Sequence, residues 1–172
     1  MQFAKDSLYM TLLTRLAALN PQRTVTLNGA TRPAVIVAEN ELVIPIDPLP
    51  DAFYIEWGKA EPVKRQSGDR AMMAMECTIS YHTLGTVESG VDRGRTLGEL
   101  DTELLSICQP PHTEKRDYTQ SPSLDLGTGM SWTTPIFGEV AGVDARYKTG
   151  LAPRLERKAT LNVFFFPEVN FL

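Results

Sequence analysis

Residues 71–84, AMMAMECTISYHTL, place Met73, Met75, Cys77, Ile79 and Tyr81 at every second position. A period of two collects those side chains on one face of an extended strand and scatters them around a helix. Because a strand leaves backbone donors and acceptors unmet until neighbours arrive, this segment commits the chain to a sheet. Residues 52–60, AFYIEWGKA, alternate in the same way, with Phe53, Ile55 and Trp57 against Tyr54, Glu56 and Gly58, and they supply an antiparallel partner. Between the two, roughly Glu61 to Arg70 is charged and carries Pro62 and Gly68, which predicts a loop that projects into solvent or toward a partner.

Two other segments have a helical period. Leu8, Leu12, Leu13, Leu16 and Leu19 recur at three- and four-residue spacing, with Asp6 or Ser7 as opener and Asn20-Pro21 as stop. Leu97, Leu100, Leu104, Leu105 and Ile107 fit a second helix that begins near Asp92 and ends before Pro110-Pro111. On it Glu99, Asp101 and Glu103 fan around an exposed face as an ordinary solvated surface. Ala34–Ala38 and Leu42–Ile46 read as a hairpin or bent strand. Ile136–Tyr147 and Leu155–Phe166 read as two more strands. In the last of these Ala159, Leu161, Val163 and Phe165 take one face and Thr160, Asn162, Phe164 and Phe166 the other, so one face is core and the other is covered by a helix or presented to another chain. The expected fold is α+β, a mostly antiparallel β-sheet with two main helices packed on one face. At 172 residues the chain suits a single domain over 1–172. Gln109–Thr134, rich in Pro, Ser, Thr, Gly and charges, is expected as one long irregular loop, at about 109–134.

Composition narrows function by subtraction. The net charge of −4 gives a field that repels phosphate backbones, against dedicated nucleic-acid binding. Lys148, Arg154, Arg157 and Lys158 cluster near the end, interrupted by Glu156, and read as a solvated strand face or a subunit contact. Cys77 and Cys108 have no CxxC or Cys/His ligand spacing, so no metal is expected and both read as small buried hydrophobes. The start, MQFAKDSLYM, lacks a basic stretch followed by an apolar one, and no run approaches bilayer length. The chain is therefore expected to be neither secreted by the general route nor in a membrane. His82 and His112 are the obvious candidates for a general base, but neither has a nucleophile at a catalytic spacing. SGVDRGRTLGEL holds glycines ahead of a helix without GxxxxGK[ST] or GxGxxG, so Gly90 and Gly94 read as turn formers. No catalytic residue and no cofactor follows from these residues.

The opening helix KDSLYMTLLTRLAALN, the passage YHTLGTVESGVDRGRTLGELDTELLSI and the returning strand RKATLNVFFFPE together resemble the tail terminator and tail completion proteins of long-tailed bacteriophages. The resemblance covers most of the chain and lies in the order of elements and the hydrophobic pattern; Gln109–Thr134 departs from the shorter members. It implies a structural virion protein, not an enzyme. That protein forms a homo-oligomer, a six-fold ring that caps the tail tube and offers its other face to the head-completion or connector protein. The tail tube protein is then one partner, and genomic DNA passes without specific binding. The location would be the tail or neck of the virion, after assembly in the host cytoplasm. A heterologous ring needs two different complementary patches on each subunit. Trp57, Trp132, Phe164 and Phe166 are aromatic material beyond one core, and with Arg65, Arg93, Arg95 and Met130 they are the candidate subunit or partner interface. A head-to-tail adaptor or stopper is the alternative from the same structural class, and a small hydrolase using His82 or His112 is the lesser one.

Overall fold

The computed structural model describes residues 1–41, 48–63, 71–85, 91–143 and 153–168. Its axis is the pairing of β5 (Met73–Thr83) with β10 (Arg154–Phe165), antiparallel from Leu155 opposite Thr83 to Phe165 opposite Met73. Both strands carry the period-two pattern, so this register puts Met75, Cys77, Ile79 and Tyr81 beside Val163, Leu161, Ala159 and Arg157 on one face. A slip of one residue would turn the whole apolar set toward solvent. β4 (Phe53–Pro62) continues the sheet beyond β5, with a bulge between Trp57 and Ala60.

Beyond β4 lies β3 (Val35–Val37), and it runs parallel to it, Val35 opposite Phe53. Leu42–Ile46, the second run of the expected hairpin or bent strand, lies outside the described residues. The parallel pairing suits VIV, all three of which are buried. α2 (Ala38–Glu41) follows it. Sequence reading passed over the hairpin of β1 (Thr24–Leu27) and β2 (Ala30–Pro33), a separate two-stranded sheet. Its turn is Asn28-Gly29 with φ of 50° and 79°, the pair of left-handed residues that a two-residue hairpin turn demands.

On the other side of β10 the structure corrects the expected loop at 109–134. β6 (His112–Asp117) and β7 (Leu124–Trp132) form an antiparallel hairpin, and β7 joins the sheet through Phe165 opposite Met130 and Val163 opposite Trp132. The segment hid its strands because β6 is entirely polar and β7 mixes Leu124, Leu126, Met130 and Trp132 with two glycines and polar residues, so neither carries a sustained run of β-branched residues. Its order comes from neighbours: Arg116 donates to Ser123 Oγ at 2.9 Å and to the Ser123 carbonyl at 2.6 Å across the hairpin. The expected strand Ile136–Tyr147 is two short ones, β8 (Ile136–Phe137) and β9 (Ala141–Val143), both against β10. Between the pairs Val163–Trp132 and Ala159–Phe137 this side has one residue more than β10, and again between Ala159–Phe137 and Glu156–Ala141. Two bulges therefore interrupt it.

The fold is thus α+β around a mostly antiparallel eight-stranded sheet, ordered β3-β4-β5-β10-β7-β6 with β8 and β9 also on β10. The helices are α1 (Gln2–Leu19) and α3 (Asp92–Ile107). Ala4, Leu8, Leu12 and Leu16 of α1 and Leu97, Leu100, Leu104 and Ile107 of α3 are buried in one cluster with Phe53, Ile55, Ile79, Leu161 and Phe165. Each such leucine contributes about 1.5–3 kcal/mol by leaving water. α1 begins four residues earlier than the Asp6 opener suggests, since burial of Ala4 anchors a first turn that has no side-chain cap.

Two of the three acidic residues assigned to a solvated face of α3 are structural. Glu103 accepts from Arg23 Nε at 2.9 Å and from Asn20 Nδ2 at 2.6 Å, tying the end of α1 to α3. Asp101 accepts from the Tyr81 hydroxyl and from Arg157, tying α3 to β5 and β10. The cysteines are fully buried free thiols. Burial pushes Cys108 up to about 12 in spite of the nearby Arg15, and holds Cys77 far above the usual thiol range. With no thiolate at pH 8, a thiol reagent is expected to label neither site in the native chain while labelling both in denaturant; prompt labelling of the native chain would contradict the packing.

Candidate functional site

α1 and α3 cover one face of the sheet, and the ladder registers define what the other face presents. Crossing it from the β9 end, His82 is opposite Glu156, which is opposite Ala141; Tyr54, Ser80 and Lys158 form the next row. Glu56, Thr78, Thr160 and Ile136 follow, then Glu76 beside Asn162, and last Ala74, Phe164, Ser131 and His112. Glu56, Glu76, Thr160, Asn162 and Ser131 are exposed and Phe164 is half-buried. Ile136 is 69% exposed, the most open of the large apolar side chains among the described residues. Carboxylates and hydroxyls around isolated apolar groups make this a solvated face of the sheet rather than a core.

At the His82 end a cavity of about 480 Å³ opens on this face, lined by Tyr54, Ser80, His82, Glu139, Glu156 and Lys158 among others. The Tyr54 hydroxyl accepts from the Leu49 backbone N–H at 2.6 Å, and Arg154 reaches Glu156 at 3.2 Å. His82 is 3% exposed, whereas His112 is exposed on β6. Their rows meet β10 at Glu156 and Phe164, so about 26 Å of strand separates them at roughly 3.3 Å per residue, and they do not share one site. Among the described residues no cluster of three or more His, Cys, Asp or Glu is placed to hold a metal ion.

The candidate interface residues fall into separate places. Met130 and Trp132 are 3% and 4% exposed, enclosed by the chain itself. The Trp132 indole N–H donates to the Cys108 carbonyl at 2.9 Å, and the Arg15 guanidinium lies 5.5 Å from its ring centre. These two residues are therefore part of the core and not spare surface. Trp57 is half-buried on the helix side, with the Lys5 ammonium 5.6 Å from its ring centre and its indole N–H buried without a hydrogen-bond partner. Phe164 lies on the open face. Phe166 is half-buried just beyond β10, and its carbonyl accepts from Lys115 at 2.6 Å.

At the start of α3, Arg93 Nε donates to the Leu84 carbonyl at 2.6 Å. Gly85, at φ +56°, makes room for it: a Cβ there would come within 2.4 Å of Arg93 Cγ. Arg95 is exposed. Arg65 lies outside the described residues. Ile136, Glu56 and Glu76 escaped sequence reading as surface features. Their signal is parity: once β5 and β10 are in register, Glu56 and Ile136 fall in the same row as Thr78 and Thr160.

No protein-family model matches the chain, and neither does any curated protein.

Proposed function

We propose that the chain is a structural assembly subunit of the tail terminator kind, a ring former that caps a phage tail tube and meets the head connector. The observation that carries this reading is the layered architecture: helices close one face of the sheet and leave the other as a broad face of carboxylates and hydroxyls around Ile136 and Phe164. An antiparallel sheet can keep such a face in water, but an apolar side chain 69% exposed in its middle row gains by meeting a partner. Trp57 and Phe166, half-buried at other places on the chain, supply material for the second, different patch that a heterologous ring requires. The net charge of −4 favours a lumen that lets DNA slide past.

The deciding experiment is light scattering and electron microscopy of the purified chain, alone and mixed with tail tube protein. A ring of defined mass, with Ile136→Glu weakening it, is the expected result. A monomer under both conditions would remove the reading. The adaptor or stopper reading, which rests on the same face, is favoured instead if the chain copurifies with portal protein and not with tube protein.

A further inference from the structure

On its open face the sheet is sunken at the His82 end. Glu56, Thr160 and Asn162 farther along are exposed, whereas Tyr54 and His82 are buried and line the cavity of about 480 Å³. That volume is in the range of sites for small molecules. Tyr54, Ser80 and Lys158 form one row of its floor, across β4, β5 and β10. The Tyr54 ring is held in place, because its hydroxyl accepts from the Leu49 N–H at 2.6 Å. Glu56 stands two residues farther along β4. Glu139 is beside Lys158, whose carbonyl accepts from the Gly138 N–H at 2.8 Å.

The acidic and basic side chains of the lining other than His82 divide into those already paired and those left over. Arg154 pairs with Glu156 at 3.2 Å, and Arg157 with Asp101. Glu56, Glu139 and Lys158 make no ion pair among the described residues. A guest that matches two carboxylates and one ammonium carries two cationic groups and one anionic group. The placement of the three orders those groups. Lys158 and Glu139 are neighbours, an arrangement that an α-carboxylate and its α-ammonium satisfy together. Glu56 is on β4, two strand spacings or about 10 Å from β10, with Tyr54 on the way. At that end a guanidinium suits better than an ammonium, since it stacks flat on an aromatic ring and meets a carboxylate with two parallel N–H groups.

We propose that this cavity is a binding site for a free α-amino acid with a guanidinium side chain, of which arginine is the natural example. Lys158 and the Ser80 hydroxyl take its carboxylate, and Glu139 takes its α-ammonium. The aliphatic stem crosses Ser80 toward Tyr54, where the guanidinium lies on the ring and reaches Glu56. Each charge of the guest then meets its opposite in a recess where water is partly excluded, which strengthens every contact. The site shares the open face with the proposed ring contact but is read on the isolated chain with a small molecule. Its failure leaves that contact standing, and a chain that forms no ring leaves the site standing.

The test is calorimetric titration of the whole chain with L-arginine and with two analogues. L-citrulline keeps the skeleton and has a neutral tip, and agmatine keeps the cationic tip and lacks the carboxylate. Arginine is expected to bind at least about tenfold more tightly than either, since each analogue loses one charge-assisted contact. Glu56→Gln is expected to bring arginine down to the affinity of citrulline and to leave citrulline unchanged. Lys158→Met is expected to bring it down to the affinity of agmatine. Both side chains are exposed, so neither substitution disturbs the core. Absence of arginine binding at millimolar concentration overturns the proposal. Equal affinity for arginine and either analogue overturns it as well, and so does a Glu56→Gln chain that keeps the wild-type preference for arginine over citrulline.

Discussion

Replacing Arg15 by alanine is expected to lower the thermal midpoint by roughly 5–10 °C, the effect of about 2–3 kcal/mol in a chain of this size. The guanidinium makes three connections at once. It donates to the Ile107 carbonyl at 3.0 Å, to Pro110 at 2.8 Å and to His112 at 3.2 Å, so it serves as the C-terminal cap of α3 from a neighbouring helix. The last carbonyls of a helix have no partner within it and carry the negative end of its dipole, which a cation satisfies. The same group lies 5.5 Å from the ring centre of Trp132, an attraction of about 0.5–2 kcal/mol that grows with desolvation.

A charged hydrogen bond contributes about 1.5–3 kcal/mol when buried, but Arg15 is only partly buried, which argues for the lower part of the sum. Arg15→Lys discriminates the planar fork from the charge alone. An ammonium cannot reach three carbonyls from one position above a ring, so lysine is expected to recover less than half of the loss. Chemical denaturation of the three proteins, followed by the fluorescence of Trp132 in a Trp57→Phe background, measures this directly. Equal midpoints for alanine and wild type would mean that Trp132 and the end of α3 hold themselves.

Arg15 also shows why some of the fold was legible in the sequence and some was not. The strands at 53–62, 73–83 and 154–165 were readable because their order is written in their own alternation, and the helices because their leucines recur at three and four. The hairpin at 112–132 was not, since its strands are ordered by groups distant in sequence: Arg15, Ser7, and the β10 residues Val163 and Phe165. Reading GTGMSW as loop was a local inference about a segment whose register is decided by β10. Trp132 carried the same error into function. As a lone aromatic in a polar stretch it resembled a surface anchor, yet its indole N–H meets the Cys108 carbonyl and its ring lies beneath a guanidinium.

Asp101 and Glu103 were misplaced for the related reason that a helical wheel knows only its own helix. Both acids point where Tyr81, Arg157 and Arg23 arrive from other elements. By contrast, Asn28-Gly29 between alternating residues was a local signal, fully present in the sequence, and simply passed over. The open face was half legible. That Phe164 lay opposite the core side of its strand followed from parity, while the company it keeps followed only from the register of four strands.

The Tyr81 hydroxyl is expected to set a large part of the stability of the chain in alkali. The side chain is 2% exposed and donates to the Asp101 carboxylate. Burial first, and the hydrogen bond and charge of Asp101 next, hold its pKa well above the ordinary tyrosine value in spite of Arg157. A group whose folded pKa exceeds its unfolded one keeps its proton only in the fold. Its contribution is therefore complete below the unfolded value of about 10, and it falls as pH rises beyond that, by about 1.4 kcal/mol per unit. Between pH 10 and 11.5 this amounts to a loss of about 2 kcal/mol in the wild-type chain. Burial raises Tyr9 and Tyr118 as well, but those groups are common to wild type and Tyr81→Phe and cancel in the comparison.

At pH 8 Tyr81→Phe is expected to be less stable by about 1–2 kcal/mol, because one acceptor site of a partly buried carboxylate loses its donor. The gap should close as the pH approaches 11.5, where the wild-type chain must keep a proton that its unfolded form has given up. Urea unfolding of both proteins at half-unit steps from pH 8 to 11.5 measures the two slopes. Parallel curves across that range would show that the unfolded and folded chains titrate Tyr81 alike, and with that the link from α3 through Asp101 to β5 would lose its energetic basis.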